Sequence, residues 1–536
     1  MFTVVYCSIK AQTLTPVLLD NLNDDSSFFG KNSNPSSFKR AGNNLYFTAN
    51  TDVSNFFIYA DLFVTDGTTP GTVSSGLNNY VKAGMTCAIP WGNNMVVVND
   101  NNVLLSDGTF QGEALITDTL KSAFSNVLSE KWSFIIGNDL FVWMDLASDT
   151  LGIELYKTDG TQTGTTLFKD YYIGSGNGTP HIGGGGRNTF QVNQTEAYFL
   201  AYNGDSLLLN KTNGTLVGTQ VIHKFKKNEL VAGNNYSEVS IYQTPINNHM
   251  LIFDGLKKIW SLDLATDQIV QLDSGALFTT RFIINNELYY TDRIAGNITS
   301  LIATDGITTR IVKTNGWTEY ANSVLVFGYE SNQHEVGGKS FFTIHPPYPE
   351  PIELWITDGT DGGTVKVLDS LPQYGGGSGK FYVCGNKTYY YLYGGSLKTL
   401  YEIDAQNNTL IDVMDLTNVT SFYYDEGYGR FYFGYDDGVI GMEPYYTTCD
   451  MLSSIADEVK NVGVKIYPNP NQTGSLNIDF EGDYDLFIYN INGQLVKTIA
   501  NQKDNSVIDI SELKQGIYFV QLIGTKNNTT QKLIKK

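Results

Sequence analysis

One phrase recurs along the first four-fifths of the chain, and its spacing constrains the fold more than any other feature. It reads Leu62-Phe63-Val64-Thr65-Asp66-Gly67-Thr68, Leu104-Leu105-Ser106-Asp107-Gly108-Thr109, Glu154-Leu155-Tyr156-Lys157-Thr158-Asp159-Gly160-Thr161 and Glu353-Leu354-Trp355-Ile356-Thr357-Asp358-Gly359-Thr360. Weaker copies are Asn213-Gly214-Thr215, Asp305-Gly306, Trp260-Ser261-Leu262-Asp263 and Tyr401-Glu402-Ile403-Asp404. Between positions 66, 107, 159, 213, 263, 305, 358 and 404 the intervals are 41, 52, 54, 50, 42, 53 and 46 residues. Such spacing suits a propeller blade of four strands.

Local chemistry explains the phrase. The residues before each Asp run apolar, as a strand buried on one or both faces does. Asp66, Asp107, Asp159, Asn213, Asp305 and Asp358 are turn residues: each side chain can bond its own downstream backbone while the following Gly takes a positive φ. A Gly-Thr-x-x-apolar run then returns, as at Gly164-Thr165-Thr166-Leu167-Phe168, and a second hairpin lies upstream, as at Asn44-Leu45-Tyr46-Phe47. The expected fold class is all-β: a multi-bladed β-propeller over residues 13–448, nine units by literal count with eight as the alternative, followed by a small C-terminal β-sandwich. Thr15-Pro16-Val17-Leu18-Leu19-Asp20 reads as a return strand without its phrase, and Gly441-Met442-Glu443-Pro444-Tyr445-Tyr446 as a phrase without its return strand. Pairing the two would close the ring and remove its exposed edges.

The phrase resembles the ELWxxDGT repeat of bacterial surface and secreted proteins, best at Glu154–Thr161 and Glu353–Thr360. That resemblance implies a propeller-like array and brings no assigned chemistry.

Residues 449–463 read as a polar linker. Beyond it, 464–536 shows short alternating strands with Asn-Gly and Gly turns. Its Tyr467-Pro468-Asn469-Pro470 opening, Asn492-Gly493 hairpin, Leu513–Phe519 segment with Gly516 and Tyr518, and Lys532-Leu533-Ile534-Lys535 ending resemble the type A C-terminal sorting domain of the type IX secretion system of Bacteroidetes. The resemblance implies export across both membranes, the type IX machinery as partner, and removal of the domain with release or surface attachment of the remainder. Residues 1–12 resemble the tail of a secretory signal peptide with a cleavage junction near Ala11/Gln12, although the basic leader is missing.

Chemistry is scarce in this sequence. His181, His223, His249, His334 and His345 form no HExxH or close pair, so no zinc set can be read. Gly376-Gly377-Ser378-Gly379-Lys380 fails as a nucleophile elbow and as a P-loop, and reads as a loop between blades. The glycines at 174–178 and 183–186 read as another such loop. The repeat aspartates could bind calcium, but each turn offers one acid where calcium loops need several, so no cofactor is expected. Cys87, Cys384 and Cys449 allow one bridge without specifying it. A net charge of −20, from 35 basic and 55 acidic residues, argues against nucleic acid and anionic membrane as partners. No apolar stretch is long enough to span a bilayer as a helix.

The leading expectation is an exported, non-enzymatic binding protein for an extracellular glycan or protein. Rival readings are an extracellular polysaccharide hydrolase or lyase, which would bring two carboxylates together at the propeller mouth, and a structural surface component.

Overall fold

A computed structural model describes residues 14, 16–22, 32–50, 59–77, 81–82, 88–99, 102–110, 112–121, 128–147, 150–180, 187–226, 239–254, 258–274, 276–294, 298–318, 335–336, 338–344, 353–368, 378–385, 387–393, 399–404, 409–449, 465–469, 471, 474–479, 484–490, 495–503, 506–524 and 528–536. The signal-like start, Cys87, the linker up to residue 464, Pro470 and the Asn492-Gly493 turn lie outside them. Among the described residues every regular element is a β-strand.

The apolar runs and their turns fold into consecutive hairpins, and the hairpins assemble into sheets of four antiparallel strands taken in chain order. The first sheet is Ser36–Ala41, Asn44–Ala49, Tyr59–Thr65 and Val73–Ser74, with the short Val81–Lys82 also paired to Tyr59–Thr65. Seven more sheets of four follow, beginning at Ile89–Trp91, Phe134–Ile136, Thr189–Asn193, Ser240–Ile241, Ala276–Ile284, Glu335–Val336 and Ser378–Cys384. The ninth consists of Val419–Asp425, Arg430–Asp436 and Met442–Thr448, and its fourth strand is Val17–Leu18 from the other end of the sequence. This is the nine-unit array, and the orphan return strand pairs with the orphan phrase as expected: Val17 opposes Tyr446 and Leu18 opposes Tyr445.

Each sheet buries both faces against its neighbours, which is why the middle strands carry almost unbroken apolar runs such as Leu140–Met144 and Ala197–Ala201. Each pair of adjacent blades has its own apolar core. Tyr46, Val64 and Met95 join the first to the second; Phe134, Trp143 and Phe199 join the third to the fourth; Tyr389, Phe431 and Phe433 join the eighth to the ninth. The series ends where it began, with Phe47 and Phe63 of the first blade packed beside Tyr432 of the ninth. The ring is therefore closed. First strands of neighbouring blades approach one another and line the axis, while the fourth strands lie outermost.

Closure is reinforced by polar contacts. Arg40 of the first blade pairs with Asp425 of the ninth, a carboxylate only 1% exposed. The N-terminal segment ties three blades: Leu14 N donates to Val413 O at 2.9 Å, Leu19 N to Pro444 O at 2.9 Å, and Thr69 Oγ1 to Leu19 O at 2.7 Å. A disulfide joins Cys384, at the end of the eighth blade's first strand, to Cys449, just past the ninth blade's third strand.

Residues 452–536 form a separate compact unit. It has a three-stranded sheet (Lys465–Tyr467, Ser475–Asp479, Ser506–Asp509) and a four-stranded sheet (Leu495–Gln502, Tyr484–Asn490, Gly516–Gly524, Asn528–Lys535, in spatial order). One apolar core, built from Ile466, Leu476, Ile478, Leu486, Ile488, Val520, Leu522 and Leu533, lies between them.

The disulfide closes a loop of 65 residues across an inter-blade seam. By chain entropy a crosslink of that span is worth up to about 4 kcal/mol. Reduction of the native chain should lower its denaturation midpoint, whereas a Cys384→Ala/Cys449→Ala variant should start lower and be indifferent to reductant.

Candidate functional site

The repeat turns share one hydrogen-bond pattern. Oδ1 of Asp66, Asp107, Asp159, Asn213 and Asp358 accepts both the backbone N–H and the hydroxyl of the Thr two residues on, at 2.8–3.1 Å and 2.6–2.7 Å. Asp305, whose phrase lacks that Thr, accepts Ile307 N and Thr308 N instead. A second clasp joins the two strands of the hairpin: Thr65 to Thr72, Thr158 to Thr165, Thr212 to Thr219 and Thr357 to Thr364, hydroxyl to hydroxyl at 2.7–2.8 Å. These hydrogen bonds hold the carboxyls of Asp66, Asp107, Asp159 and Asp358 below the usual range, the Thr hydroxyl bond being the largest cause.

Three of the turns also fasten their blade to the preceding one. The Gly67 carbonyl accepts Arg430 Nη1 of the ninth blade and the Gly359 carbonyl accepts Arg310 Nη1 of the sixth, both at 3.0 Å, while Gly306 O accepts the Ser261 hydroxyl of the fifth. Gly359 has φ +88°, and a Cβ there would overlap the Tyr289 hydroxyl. The glycine thus meets a backbone demand and a steric one together. Gly359→Ala should therefore lower the unfolding free energy by at least about 1–2 kcal/mol in urea titration.

Two glutamates carry a role that the sequence reading missed. Glu154 lies five residues before its turn Asp, and Glu443 occupies the matching place in the ninth blade, after Gly152-Ile153 and Gly441-Met442. Both are fully buried. Glu154 accepts the backbone N–H groups of Tyr171 and Tyr172, just past its blade's fourth strand. Glu443 accepts those of Leu22, just past the N-terminal strand that completes the ninth blade, and of Ser33, just before the first blade's opening strand. Glu154 thus pins the chain where it leaves an outer strand, and Glu443 ties the exit from the closing strand to the entry of the first blade. Burial pushes both up to about 7, outweighing the N–H donors. A carboxyl that holds its proton more firmly in the folded chain stabilises the fold fully below its unfolded pKa near 4.5, and that contribution fades as pH rises through 7. The turn aspartates work in the opposite sense, but only in stronger acid, below 3.8. The thermal midpoint should accordingly fall between pH 5 and pH 7.5, and Glu443→Gln should fall less.

The described residues also outline a cavity of about 610 Å³ on the inner wall of the second to fifth blades, lined in part by Glu130, Lys131, Arg187, Gln191 and Gln243. Backbone bonds between blades build this wall: Asn188 N donates to Lys131 O at 3.1 Å, and Ile241 N to Arg187 O at 2.7 Å. Gln191 Oε1 accepts Ile135 N at 3.0 Å, and Arg187 Nη1 donates to Glu130 O at 3.2 Å. Lys39 of the first blade reaches Glu130 Oε2 at 3.2 Å and also donates to Ala88 O at 2.8 Å. Glu130 is the one carboxylate in the described lining. None of these residues belongs to a recognisable motif, because they come from five successive blades and meet only once those blades stack.

The other singled-out residues are dispersed. Ser378, Gly379 and Lys380 do not form a loop, as expected from sequence, but open the eighth blade's first strand, since they pair with Tyr393, Leu392 and Tyr391. Gly174–Gly178 is a loop, and Gly183–Gly186 lies outside the described residues, as do His181, His334 and His345. His223 packs on Phe225 and Trp260, while His249 bonds Asn247 O. Among the described residues, no group of three or more His, Cys, Asp or Glu could hold a metal ion.

In the C-terminal unit, Tyr467 is half exposed and Asn469 Oδ1 accepts Ile534 N at 3.0 Å. Asn471, buried and unnoticed in the sequence, donates its N–H to Ile534 O at 2.7 Å and accepts Lys536 N at 2.8 Å. The Tyr-Pro-Asn-Pro opening and the Lys-Leu-Ile-Lys ending are thus two sides of one contact. Gly516 begins its strand, Tyr518 donates its hydroxyl to Lys514 O, and Lys532 sits opposite Phe519.

Residues 465–536 match the secretion system C-terminal sorting domain. This sorting domain indicates export, to the cell surface or into the medium. No curated protein sequence matches the chain. Among solved structures, the chain is similar to PorZ, an essential bacterial surface component of the type IX secretion system of Porphyromonas gingivalis, at 11% identity, covering 94% of this chain and 86% of that one with a TM-score of 0.25. It is also similar to the tricorn protease (10% identity, 93% and 60% covered, TM-score 0.31) and to the dihydro-heme d1 dehydrogenase NirN (10%, 78% and 75%, TM-score 0.38).

Proposed function

We propose that the exported chain is a non-enzymatic propeller that binds a glycan or protein ligand outside the cell through the inner wall of its ring. The observation that carries this reading is the combination of a C-terminal sorting domain with a closed ring whose wall holds a polar, charged cavity. The disulfide suits an oxidising destination, and the resemblance of the repeat to ELWxxDGT surface proteins points the same way. Hydrolysis of a glycosidic bond usually requires two carboxyl groups across the scissile linkage, whereas the described lining of this cavity offers Glu130 alone, and it is engaged by Lys39.

Export and binding are tested separately. Residues 464–536 fused behind a signal peptide and a reporter should carry the reporter out of a Bacteroidetes host that has the type IX system, and the native chain truncated after Cys449 should stay in the periplasm. A reporter retained inside, or a truncated chain that still reaches the surface, would refute the sorting role. For binding, the purified chain applied to a glycan array should retain a defined set of sugars without degrading them. Product release that a single carboxylate substitution abolishes would establish an enzyme instead.

A further inference from the structure

We infer that the secretion machinery reads the sorting domain through the outer side of its four-stranded sheet, where Phe487, Tyr489, Val496 and Phe519 form an apolar patch, and that the partner seated there is a protein surface with an apolar groove and an acidic margin. This rests on the sorting reading above and names the face and the partner chemistry for it. In a sheet with one solvated side, alternate residues turn to the core and the others, expected to be polar, turn to water. Here Leu486, Ile488, Val520 and Leu522 supply the core. Their neighbours Phe487, Tyr489 and Phe519 turn outward instead. Tyr489 lies directly opposite Phe519 across the two central strands, and Phe487 is the next outward residue on the same face, opposite Thr498 and Gln521. Val496 flanks them at the irregularity of the edge strand, and it and Phe519 are each 41% exposed. Three aromatic residues gathered on the water side of one sheet have the composition of a docking surface.

The three-stranded sheet has no such patch: on its outer side Asn477 stands between Tyr467 and Val507, and Asp509 is exposed on the same face. Charge points to the occupant. Residues 465–536 hold eight Lys against seven Asp or Glu, whereas residues 1–464 hold 27 Lys or Arg against 48 Asp or Glu. The exposed Lys514 stands two residues before the strand of Phe519 and is in no ion pair among the described residues, while the nearby Glu512 is spent on Lys497. Docking this face on a second copy would bring two chains of net charge −20 together, which opposes self-association. A partner with an acidic margin admits the sorting domain and repels the ring, so the same charges favour the right encounter and exclude the wrong one.

The test follows export of the full chain in a Bacteroidetes host that has the type IX system, and each purified variant is checked for the thermal transition of the native protein. Phe519→Thr and Val496→Thr keep a β-branched residue on the strand, so both should leave that transition in place. Both should lower the exported fraction, Phe519→Thr by at least about tenfold, as loss of a central aromatic anchor does. Phe519→Tyr should keep export, and Val507→Thr, at a more exposed position on the other sheet, should not alter it. Lys514→Glu should lower export by a smaller factor, and undiminished export of that variant removes the acidic margin from the partner. Where Phe519→Thr disturbs the transition, Val496→Thr decides. Native export of both Thr variants of this face, or an equal loss with Val507→Thr, overturns the inference and leaves the sorting reading standing. A purified chain that is dimeric, and that Phe519→Thr makes monomeric, assigns the face to a second copy and also overturns it. Retention of the unaltered chain overturns the sorting reading itself.

Discussion

The structure depends on a single topological condition, that the nine described sheets close into a ring with every sheet completed to four strands and no apolar blade face left uncovered. A sheet edge exposes unpaired N–H and C=O groups, and an open array of blades would expose two apolar faces as well. The condition is met by pairing the sequence's first strand with its last blade, Val17–Leu18 against Tyr445–Tyr446. Leu14, Leu19 and Thr69 extend that contact to the eighth and first blades, and Arg40 with Asp425 crosses the same seam. Cys384–Cys449 locks the seam next to it. Covalent, ionic and hydrogen-bonded constraints are thus concentrated where the chain must find its own beginning, a contact of very long sequence separation whose loop-closure entropy is the largest in the ring.

The Asp-Gly turn spreads the same task around the circle. An isolated turn of this type would need only the Asp acceptor and a glycine with positive φ. Here the glycine carbonyl is also an acceptor for the preceding blade, at Gly67, Gly306 and Gly359, and the missing Cβ makes room for that neighbour. A short turn motif therefore repeats through the chain at blade intervals because it serves the hairpin and the inter-blade seam together.

What could be read from the residues follows from this division. The blades were legible because Asp107-Gly108-Thr109 and its copies are local: acceptor, glycine and returning Thr lie within a few residues. Even the nine-unit closure was visible, since the incomplete halves at Val17 and Glu443 complement one another. The inner wall was not, because Lys39, Glu130, Arg187 and Gln243 share no spacing and converge only in the ring. Ser378-Gly379-Lys380 misled through its glycines, which sit in a strand where the sequence suggested a loop. Glu154 and Glu443 left a faint signal, a Gly-x-Glu before the apolar strand, that has meaning only once the loop beyond the fourth strand is seen to fold back onto it.

The position of the closing strand also explains why a C-terminal address can be appended to this ring. Had the ninth blade drawn its fourth strand from the residues after Cys449, removing the tail would have stripped an outer strand and opened an edge. The strand comes instead from residues 17 and 18, and the carboxylate that pins it, Glu443, belongs to the ninth blade's third strand. Every blade is complete by Thr448. The sorting domain meanwhile satisfies its own ends, Asn469 and Asn471 binding Ile534 and Lys536. Among the described residues, every ladder hydrogen bond of the ring is made within residues 17–448 and every one of the sorting domain within residues 465–535.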